Sequence, residues 1–466
     1  MLKPYNNEFT TVILGGGLTG LAAGYALAKA GTDVELFEYD ASVGGLSKTI
    51  ESNGFRFDLG GHRFFTKNQR INSFLNNLME GELISVPRKS TIYLRNKYFD
   101  YPLRPANAIL GMGVPTTVRI VEDYIAEKIR GLAKVRPQLS LEDWVVGNFG
   151  RAMFDIYFKE YSEKVWGIDC SRISVDWVAQ RIRGLSLARA VKNAFFKFSG
   201  KDIPSLVDKF TYPALGIGRI AERLREEIGQ DNIVHTGSPI TRINHSGCMI
   251  ESVEAGCGSS ACRASGDAFI SSIPITTLVR LLDPPAPSHV REAASKLMFR
   301  DLVVVAVMVH KKQVTDQTWI YVPEKKIPFG RIHEPTNWSR KMAPDGNTLL
   351  VTEYFSFEGD RFWNASDEHL AEMTVRGLDQ LGFVKKSEVS GSVVVRAKKA
   401  YPLFEIGYAE QCKLLCDYLS AFRNLHIAGR VGMFRYYNMD HAIESGFNTA
   451  EAVITSMSGM SAVQAA

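Results

Sequence analysis

The sequence predicts a mixed fold, α/β in its first part and α+β overall. It combines a Rossmann-type domain, an inserted helical subdomain and a mostly antiparallel β-sheet domain. Three observations predict this fold. A strand, a glycine turn, a helix and a second strand open the chain, a helical pattern follows residue 105, and β-rich segments follow residue 300. With 466 residues, 45% hydrophobic and 23% charged, the chain has globular composition and room for two or three domains.

The first unit is a βαβ motif. Residues 10–14 are β-branched or apolar, which predicts a strand buried on both faces. An Ala- and Leu-rich helix is predicted at 21–30, and Gly31 is typical of a helix C-terminus. Residues 34–38 are predicted as a second strand, parallel to the first because a crossover helix joins them.

Later segments supply the remaining elements. Apolar residues at three- and four-residue spacing predict helices at 117–130 and 141–158. Composition and turn residues predict a helix at 219–228, strands at 268–272, 302–310, 319–322, 348–355, 392–396 and 425–428, and a closing helix at 441–457. The predicted domains are a first domain of residues 1–100, 205–290 and 415–466, a helical subdomain of 101–204, and an antiparallel-sheet domain of 291–414.

The glycines after the first strand form the pattern G-x-G-x-x-G. Gly15 permits a tight turn, Gly17 lets the backbone approach a pyrophosphate, and Gly20 allows the helix to pack closely on the strand. The helix N-terminus then offers free N–H groups to phosphates. Glu38, which ends the second strand, is placed to bind ribose hydroxyls and would repel the 2′-phosphate of NADP. The alternative is a turn with a purely structural role.

A second glycine pair, Gly44 and Gly45, follows Glu38. It resembles the FAD-binding start of the amine oxidase and protoporphyrinogen oxidase superfamily, in which two glycines follow the acidic residue. No second G-x-G-x-x-G stands on a strand–helix crossover, so a nicotinamide domain is not expected. The expected cofactor is FAD, and the first predicted domain is the FAD-binding domain.

Net charge, cysteine content and the length of apolar runs indicate which partners and which cellular compartment to expect. A net charge of +5 is too small to indicate nucleic acid but suits an anionic small molecule. The 6 cysteines show neither a disulfide framework nor a zinc spacing, so we expect no metal and a reduced, cytoplasmic setting. The longest apolar run, residues 302–309, is too short for a transmembrane segment, and the N-terminus lacks signal-peptide features.

Five segments, in order along the chain, resemble the UDP-galactopyranose mutase family. They are FDLGGHRFF at 57–65, KYFDYPL at 97–103, YSEKVWG at 161–167, PFGRIHE at 328–334, and GRVGMFRYYNMD at 429–440, with AYP at 400–402 before it. The resemblance implies a redox-neutral isomerase that interconverts the pyranose and furanose forms of a nucleotide-diphosphate sugar. In that family the N5 atom of reduced FAD attacks the sugar and forms an adduct, so a reductant for the flavin is also implied.

The resemblance assigns roles to individual residues. Those implied in catalysis are His62, Arg181, Arg331, Tyr401 and Tyr436. Those implied in substrate binding are Tyr161, Trp166 and Asn438, and those beside the cofactor are Gly60, Gly61, Arg430, Met439 and Asp440. The chemistry agrees with these roles, because guanidinium groups stabilise the charge that develops on a leaving diphosphate and phenols can donate to it.

Three departures from the bacterial mutases keep an alternative open. Asn438 replaces an aspartate, the spacing from Trp166 to Arg181 is one residue longer, and no aromatic residue follows Arg181 to stack on uracil. The nucleotide therefore need not be UDP. The alternative is an FAD-dependent oxidoreductase of the amine oxidase and protoporphyrinogen oxidase type that oxidises or desaturates a small molecule. In that case Tyr436 and Phe434 are expected to flank the flavin.

Overall fold

The computed structural model describes residues 9–101, 111–133, 137–181, 209–229, 232–257 and 260–464. Its strands are β1 Thr10–Leu14, β2 Asp33–Phe37, β3 Thr49–Ser52, β4 Phe55–Asp58, β5 Leu83–Pro87, β6 Ser90–Leu94, β7 Lys97–Asp100, β8 Lys209–Pro213, β9 Ile233–His235, β10 Ile240–Ser246, β11 Met249–Cys257, β12 Ser260–Ala264, β13 Ala268–Ser271, β14 Leu282–Asp283, β15 Phe299–Val309, β16 Trp319–Tyr321, β17 Arg331–His333, β18 Thr348–Ser356, β19 Val389–Pro402 and β20 Leu425–Ile427.

The helices lie between groups of these strands, and five of them follow one another between β7 and β8 in the described residues. They are α1 Leu18–Lys29, α2 Gln69–Met79, α3 Val114–Ala133, α4 Leu141–Phe149, α5 Arg151–Met153, α6 Lys159–Trp166, α7 Val175–Arg181, α8 Arg219–Ile228, α9 Ile275–Leu281, α10 Ser288–Lys296, α11 Asp367–Gln380, α12 Tyr408–Leu419, α13 Gly429–Gly432 and α14 Met439–Gln464. The bounds predicted for β1 and α8 are those observed.

A parallel sheet forms the first layer, with strand order β20-β13-β1-β2-β9 among the described residues. All four pairings are parallel, and β1 lies in the middle. Helices α1, α8 and α14 pack together around an apolar core on this sheet. The predicted Rossmann-type unit is confirmed, and its glycine turn lies at the carboxyl end of the central strand, where such folds bind ligands.

A second, mostly antiparallel sheet has the order β19-β15-β18-β17-β16-β6-β7 in the described ranges. Every residue of β15 is buried, because its two faces contribute to two separate apolar cores. This position explains the unbroken apolar run at 302–309. The strands within residues 90–100, which the sequence grouped with the FAD-binding domain, pair with this sheet through β6 and β16.

The helical subdomain differs from its prediction at one place. The helix expected at 141–158 ends at Phe149, because Gly150 has a φ of +85° and cannot continue it. Ser140 and Asp143 form a capping box at its start. A short helix and a π-helical turn at Phe154–Phe158 follow, and α6 then begins, bringing Tyr161 and Trp166 towards the antiparallel sheet.

The sequence did not predict the small sheet of β10, β11, β12 and β14. Cys262 is disulfide-bonded, so the expectation of fully reduced cysteines does not hold at this position. In the part of the chain that the structure describes, no helix has both the length and the apolar surface needed to cross a bilayer.

Candidate active site

A turn rich in glycine joins the carboxyl end of β1 to α1. At several of these glycines, neighbouring atoms leave no room for a Cβ. Gly15 has a φ of +104°, and a Cβ on Gly20 would lie 1.9 Å from the Gly15 carbonyl oxygen. A Cβ on Gly45 would lie 3.2 Å from the Cα of Gly17. The first turn of α1 has neither a side-chain cap nor an acidic residue, so its N–H groups stay available to an anion.

Glu38 lies immediately after β2, beside this turn. Its Oε2 accepts a hydrogen bond from the Gly16 N–H at 2.7 Å, and its Oε1 accepts one from the Asp40 N–H at 2.9 Å. The side chain is buried, and burial raises its pKa. Gly44, with a φ of +112°, donates from its N–H to the Gly16 carbonyl at 2.8 Å. Glu38 therefore holds the turn, and its contact with ribose remains a prediction.

The N-terminus of α14 lies next to that of α1. Thr19 in the first turn of α1 donates from Oγ1 to the Ala442 carbonyl in the first turn of α14 at 3.0 Å. Met439 is buried at the start of α14. Burial acts to raise the pKa of Asp440, but its hydrogen bond with His441 lowers it overall, which keeps this carboxylate charged. Two adjacent helix N-termini and the glycine turn fit the pyrophosphate of a dinucleotide such as FAD.

The loop from Gly60 to His62 leads from this cradle to the second sheet. Gly60 has a φ of +99°, and a Cβ on Gly61 would lie 1.2 Å from the ring of Trp319. The Gly61 N–H donates to Glu353 Oε1 at 3.4 Å. His62 Nδ1 lies 3.2 Å from the Gly60 carbonyl oxygen, and burial lowers the pKa of His62 to about 4. The predicted flavin-facing histidine is therefore neutral near pH 7.

Arg331 is the centre of a part-buried polar cluster. Its Nε donates to the Tyr161 hydroxyl at 2.9 Å, and its Nη1 donates to the Tyr401 hydroxyl at 3.2 Å and to Glu353 Oε2 at 3.0 Å. Burial acts to lower the pKa of Arg331, but Tyr161 and Glu353 raise it well above its usual value. Burial also raises the pKa of both phenols. The cluster therefore holds a permanent cation with neutral hydroxyls around it.

Tyr401 and Tyr436 form a stacked pair beside this cluster. Their ring centroids lie 6.2 Å apart at an interplanar angle of 25°, and Trp166 meets both rings edge-on. The guanidinium of Arg430 lies 5.1 Å and 4.5 Å from the two ring centroids. Arg430 donates from Nε to the Ala400 carbonyl at 3.2 Å and from Nη1 to the Tyr437 carbonyl at 2.6 Å. In these contacts Arg430 positions the tyrosine pair, and its expected contact with FAD remains a prediction.

Two predicted residues are not placed in this cluster. Arg181 is the last residue of α7, and its side chain lies outside the described part of the structure. Asn438 is exposed in the turn before α14, where its N–H lies 3.4 Å from His441 Nδ1. Phe434, expected to flank the flavin in the oxidoreductase alternative, is instead 1% exposed and packs on Phe299. It is a core residue because the rings of Phe299, Phe404 and Tyr408 pack around it.

The structure adds residues that the sequence analysis missed. Glu353 lies within the apolar strand β18, and a carboxylate in such a strand is a signal of a buried partner. The rings of Tyr321 and Tyr101 are tilted by 43° with centroids 4.5 Å apart, and Tyr321 meets Tyr161 edge-on at 5.6 Å. Arg88 lies 5.4 Å from the Tyr101 ring centroid. These aromatic rings form a wall next to Arg331, which only the pairing of β16 with β6 and β17 assembles.

The fold and the site together define a dinucleotide-binding protein with a part-buried arginine–tyrosine cluster on its second sheet. The family model described as "Flavin containing amine oxidoreductase" matches residues 18–454. The chain belongs to the flavin-containing amine oxidoreductase family. It is an FAD-dependent enzyme of the amine oxidase superfamily, and the expected FAD is confirmed.

Known structures and relatives agree with this family and share its fold. The structure of reduced UDP-galactopyranose mutase superposes with a TM-score of 0.84 at 23% identity, covering 97% of this chain and 94% of that one. A putative protoporphyrinogen oxidase from Exiguobacterium sp. gives 0.74 at 17%, covering 96% and 99%. Protoporphyrinogen oxidase 2 of Arabidopsis thaliana is 20% identical over 480 residues, 95% of this chain and 93% of that protein.

Proposed function

We propose that this protein interconverts the pyranose and furanose forms of a nucleotide-diphosphate sugar, without net oxidation. The observation that carries the proposal is the part-buried cluster of Arg331 with the hydroxyls of Tyr161 and Tyr401. A fixed guanidinium with hydroxyls around it is suited to a diphosphate, which is the leaving group of such a reaction. The resemblance of the five sequence segments and the fold shared with UDP-galactopyranose mutase support the same function.

The hydrogen-bond directions in the cluster leave donors for an anion. Arg331 donates to both phenol oxygens, so the O–H protons of Tyr161 and Tyr401 remain free to donate to phosphate oxygens. Arg331 Nη2 has no hydrogen-bond partner among the described residues, which leaves a guanidinium donor as well. Glu353 fixes the guanidinium from behind through Nη1. Bond cleavage would build charge on this preorganised site at little reorganisation cost.

The sugar would lie between this cluster and the flavin. The stacked Tyr401 and Tyr436, with Trp166 edge-on to both, form an aromatic wall that suits the apolar faces of a sugar ring. Neutral His62 lies on the flavin side and adds no second positive charge there. When bound and reduced, FAD would supply the nucleophile that replaces the diphosphate on the sugar. The protein residues would hold the diphosphate in place for its return.

The aromatic rings next to Arg331 support a nucleotide at the other end of the diphosphate. Tyr101 and Tyr321 offer ring faces, and a base can stack on such faces with little dependence on its identity. Tyr321 contacts Tyr161 directly, so the base would continue from the diphosphate site. This wall takes the place of the aromatic residue that the sequence lacks after Arg181.

The proposal is tested by the product formed from a panel of nucleotide-diphosphate sugars. The dithionite-reduced holoprotein should convert one member into an isomer of the same mass, resolved by liquid chromatography and identified as a furanose by NMR. The oxidised holoprotein is the matched control and should form no isomer. A product lighter by two hydrogens, or no isomer from any member, would contradict the mutase function.

Net oxidation of a small molecule is the second candidate, and it is favoured by the relative named protoporphyrinogen oxidase 2. The aromatic pair of Tyr401 and Tyr436 could equally hold a flat organic substrate. Against it stands the fully buried Glu353 with Arg331, because an oxidase for an apolar substrate has no use for a charged cluster there. Hydrogen peroxide release on adding such substrates to the oxidised holoprotein would support this candidate.

A further inference from the structure

Lys164 is a part-buried lysine whose contacts have not been described above. It stands on α6, three residues after Tyr161, and its side chain runs under the turn between β16 and β17. Its Nζ donates to three backbone carbonyls of that turn: Val322 at 2.8 Å, Glu324 at 2.9 Å and Ile327 at 2.7 Å. Burial lowers the pKa of Lys164 to about 7. In the charged form, all three N–H groups of the ammonium are used by these carbonyls, which lie at near-ideal distances.

This turn connects the two strands that carry the site. Tyr321, whose ring lies beside that of Tyr101, comes just before this turn, and Arg331 comes just after it. Helix α6 carries Tyr161 and Trp166. Lys164 is therefore the part-buried connection between the element holding the Tyr161 hydroxyl and the elements holding the guanidinium that bonds to it.

Other contacts around Lys164 limit which movements the helix can make. The Lys325 N–H donates to Glu160 Oε1 at 2.7 Å, and the Lys325 Nζ lies 3.2 Å from Glu163 Oε2 at the surface. At the other end of α6, Arg300 donates from Nε to the Val165 carbonyl at 2.9 Å. Arg300 ties α6 to β15, whereas Lys164 ties it to the turn that precedes Arg331.

We propose that Lys164 is a positioning residue that sets the geometry of the diphosphate site by fixing the β16–β17 turn against α6. A part-buried ammonium is suited to this task because it satisfies three carbonyls from one point, while an apolar side chain would leave them without donors. The proposal rests on the proposed function for the identity of the ligand only. The link between α6 and the turn can be measured without any ligand.

The experiment compares three variants of the FAD-loaded protein. Lys164→Met removes all three donors at similar volume, and Lys164→Gln keeps two N–H donors without the charge. Lys325→Met is the matched control, because it removes an exposed lysine from the same turn. Amide hydrogen exchange of residues 320–331 is measured without ligand. Calorimetry then measures binding of two probes, inorganic pyrophosphate and the best-bound member of a panel of nucleotide-diphosphate sugars.

Lys164→Met should speed exchange in residues 320–331 and weaken binding of both probes by about tenfold or more, which corresponds to losing one or two hydrogen-bond equivalents. Lys164→Gln should recover part of both losses, and Lys325→Met should stay within about twofold of the parent. Unchanged exchange, or faster exchange with unchanged affinity, would overturn the proposal. A parent protein that binds pyrophosphate but no nucleotide sugar would contradict the proposed function, with Lys164 still tested by pyrophosphate. Binding of neither probe would overturn both.

Discussion

Arg331 and Glu353 face each other across β17 and β18 as directly paired residues, with Nη1 and Oε2 3.0 Å apart. The Glu353 side chain is 0% exposed and that of Arg331 is 15% exposed. The other carboxylate oxygen of Glu353 accepts from the Gly61 N–H. One buried carboxylate therefore connects the cationic centre of the site with the glycine loop that leads to the flavin. Both ends of the proposed reaction depend on its position.

Glu353→Gln tests whether the carboxylate matters for ligand binding as well as for stability. The amide keeps the volume and one acceptor, but it leaves the buried charge of Arg331 without its counter-ion. We expect binding of nucleotide-diphosphate sugars to change by about tenfold or more and the free energy of unfolding to fall by about 3 kcal/mol. Calorimetry and urea unfolding measure the two quantities. Full affinity in a variant of unchanged stability would show that the ion pair is dispensable.

Arg331→Lys keeps the charge and removes the planar donor geometry. A lysine cannot donate at the same time to the Tyr161 hydroxyl, the Tyr401 hydroxyl and an incoming phosphate from two edges. Affinity for the diphosphate should therefore fall about tenfold or more, while the flavin absorbance spectrum and FAD content should stay those of the parent. If the variant binds and turns over like the parent, Arg331 acts only as a point charge.

His333 should make stability depend on pH. It is 2% exposed, its ring stacks on Trp319 and Trp338, and neither ring nitrogen has a hydrogen-bond partner within the described ranges. Burial lowers the pKa of His333 from 6.5 to about 3. The unfolded chain therefore takes up a proton before the folded one. Stability should be complete above pH 6.5 and should fall by about 1.4 kcal/mol per pH unit as pH decreases from 6.5 towards 3.

His333→Phe tests this by removing the titrating group while keeping an aromatic ring between the two tryptophans. Urea unfolding at several values between pH 4.5 and pH 6.5 should give a shallower dependence for the variant than for the parent. The buried His62, with its own lowered pKa, remains in both proteins and contributes equally. Parallel curves for the two proteins would mean that His333 is not the neutral buried group described above.

Gly20→Ala should abolish FAD retention. Its Cβ would lie 1.9 Å from the Gly15 carbonyl oxygen, so the turn from β1 to α1 must open. The matched control is Gly131→Ala on α3, where an added Cβ meets nothing within 4 Å. The control should retain FAD and gain up to about 1 kcal/mol of helix stability. Bound flavin per protein, measured by absorbance after gel filtration, distinguishes the two; equal retention would contradict the cradle.

Local patterns sufficed where one element carries its own signal. The strand at 10–14 and the helix at 219–228 were predicted with their observed bounds, because an unbroken β-branched and apolar run indicates the first and composition with turn residues indicates the second. The prediction of one continuous helix at 141–158 was wrong. The helical spacing of apolar residues continues across Gly150, but the backbone of Gly150 has a positive φ and ends the helix. Phe434 was expected beside the flavin in the oxidoreductase alternative, but it lies in the core. Several aromatic residues follow one another there, and the sequence does not show which of their side chains points into the core.

The site was predictable only where a family motif carried it. The resemblance brought forward Tyr161, Arg331, Tyr401 and Tyr436, which the structure places together. It missed Glu353 and Lys164, whose partners are distant in sequence and are brought close by strand pairing and by the β16–β17 turn. The sequence around a single Glu in an apolar strand, or around a Lys in a helix, does not identify the group that the side chain contacts. Only tertiary structure shows that one balances a guanidinium and the other binds three carbonyls.

In the proposed function, reduced FAD reacts with a nucleotide-diphosphate sugar that the Arg331 cluster holds. The most direct measurement is to incubate the dithionite-reduced holoprotein with a pool of nucleotide-diphosphate sugars and cyanoborohydride, then to weigh the released flavin by mass spectrometry. We expect flavin heavier by one reduced sugar unit in the reduced parent, a lower yield of it in Arg331→Lys at the same sugar concentration, and none in the oxidised protein. Unmodified flavin across the whole pool would contradict it.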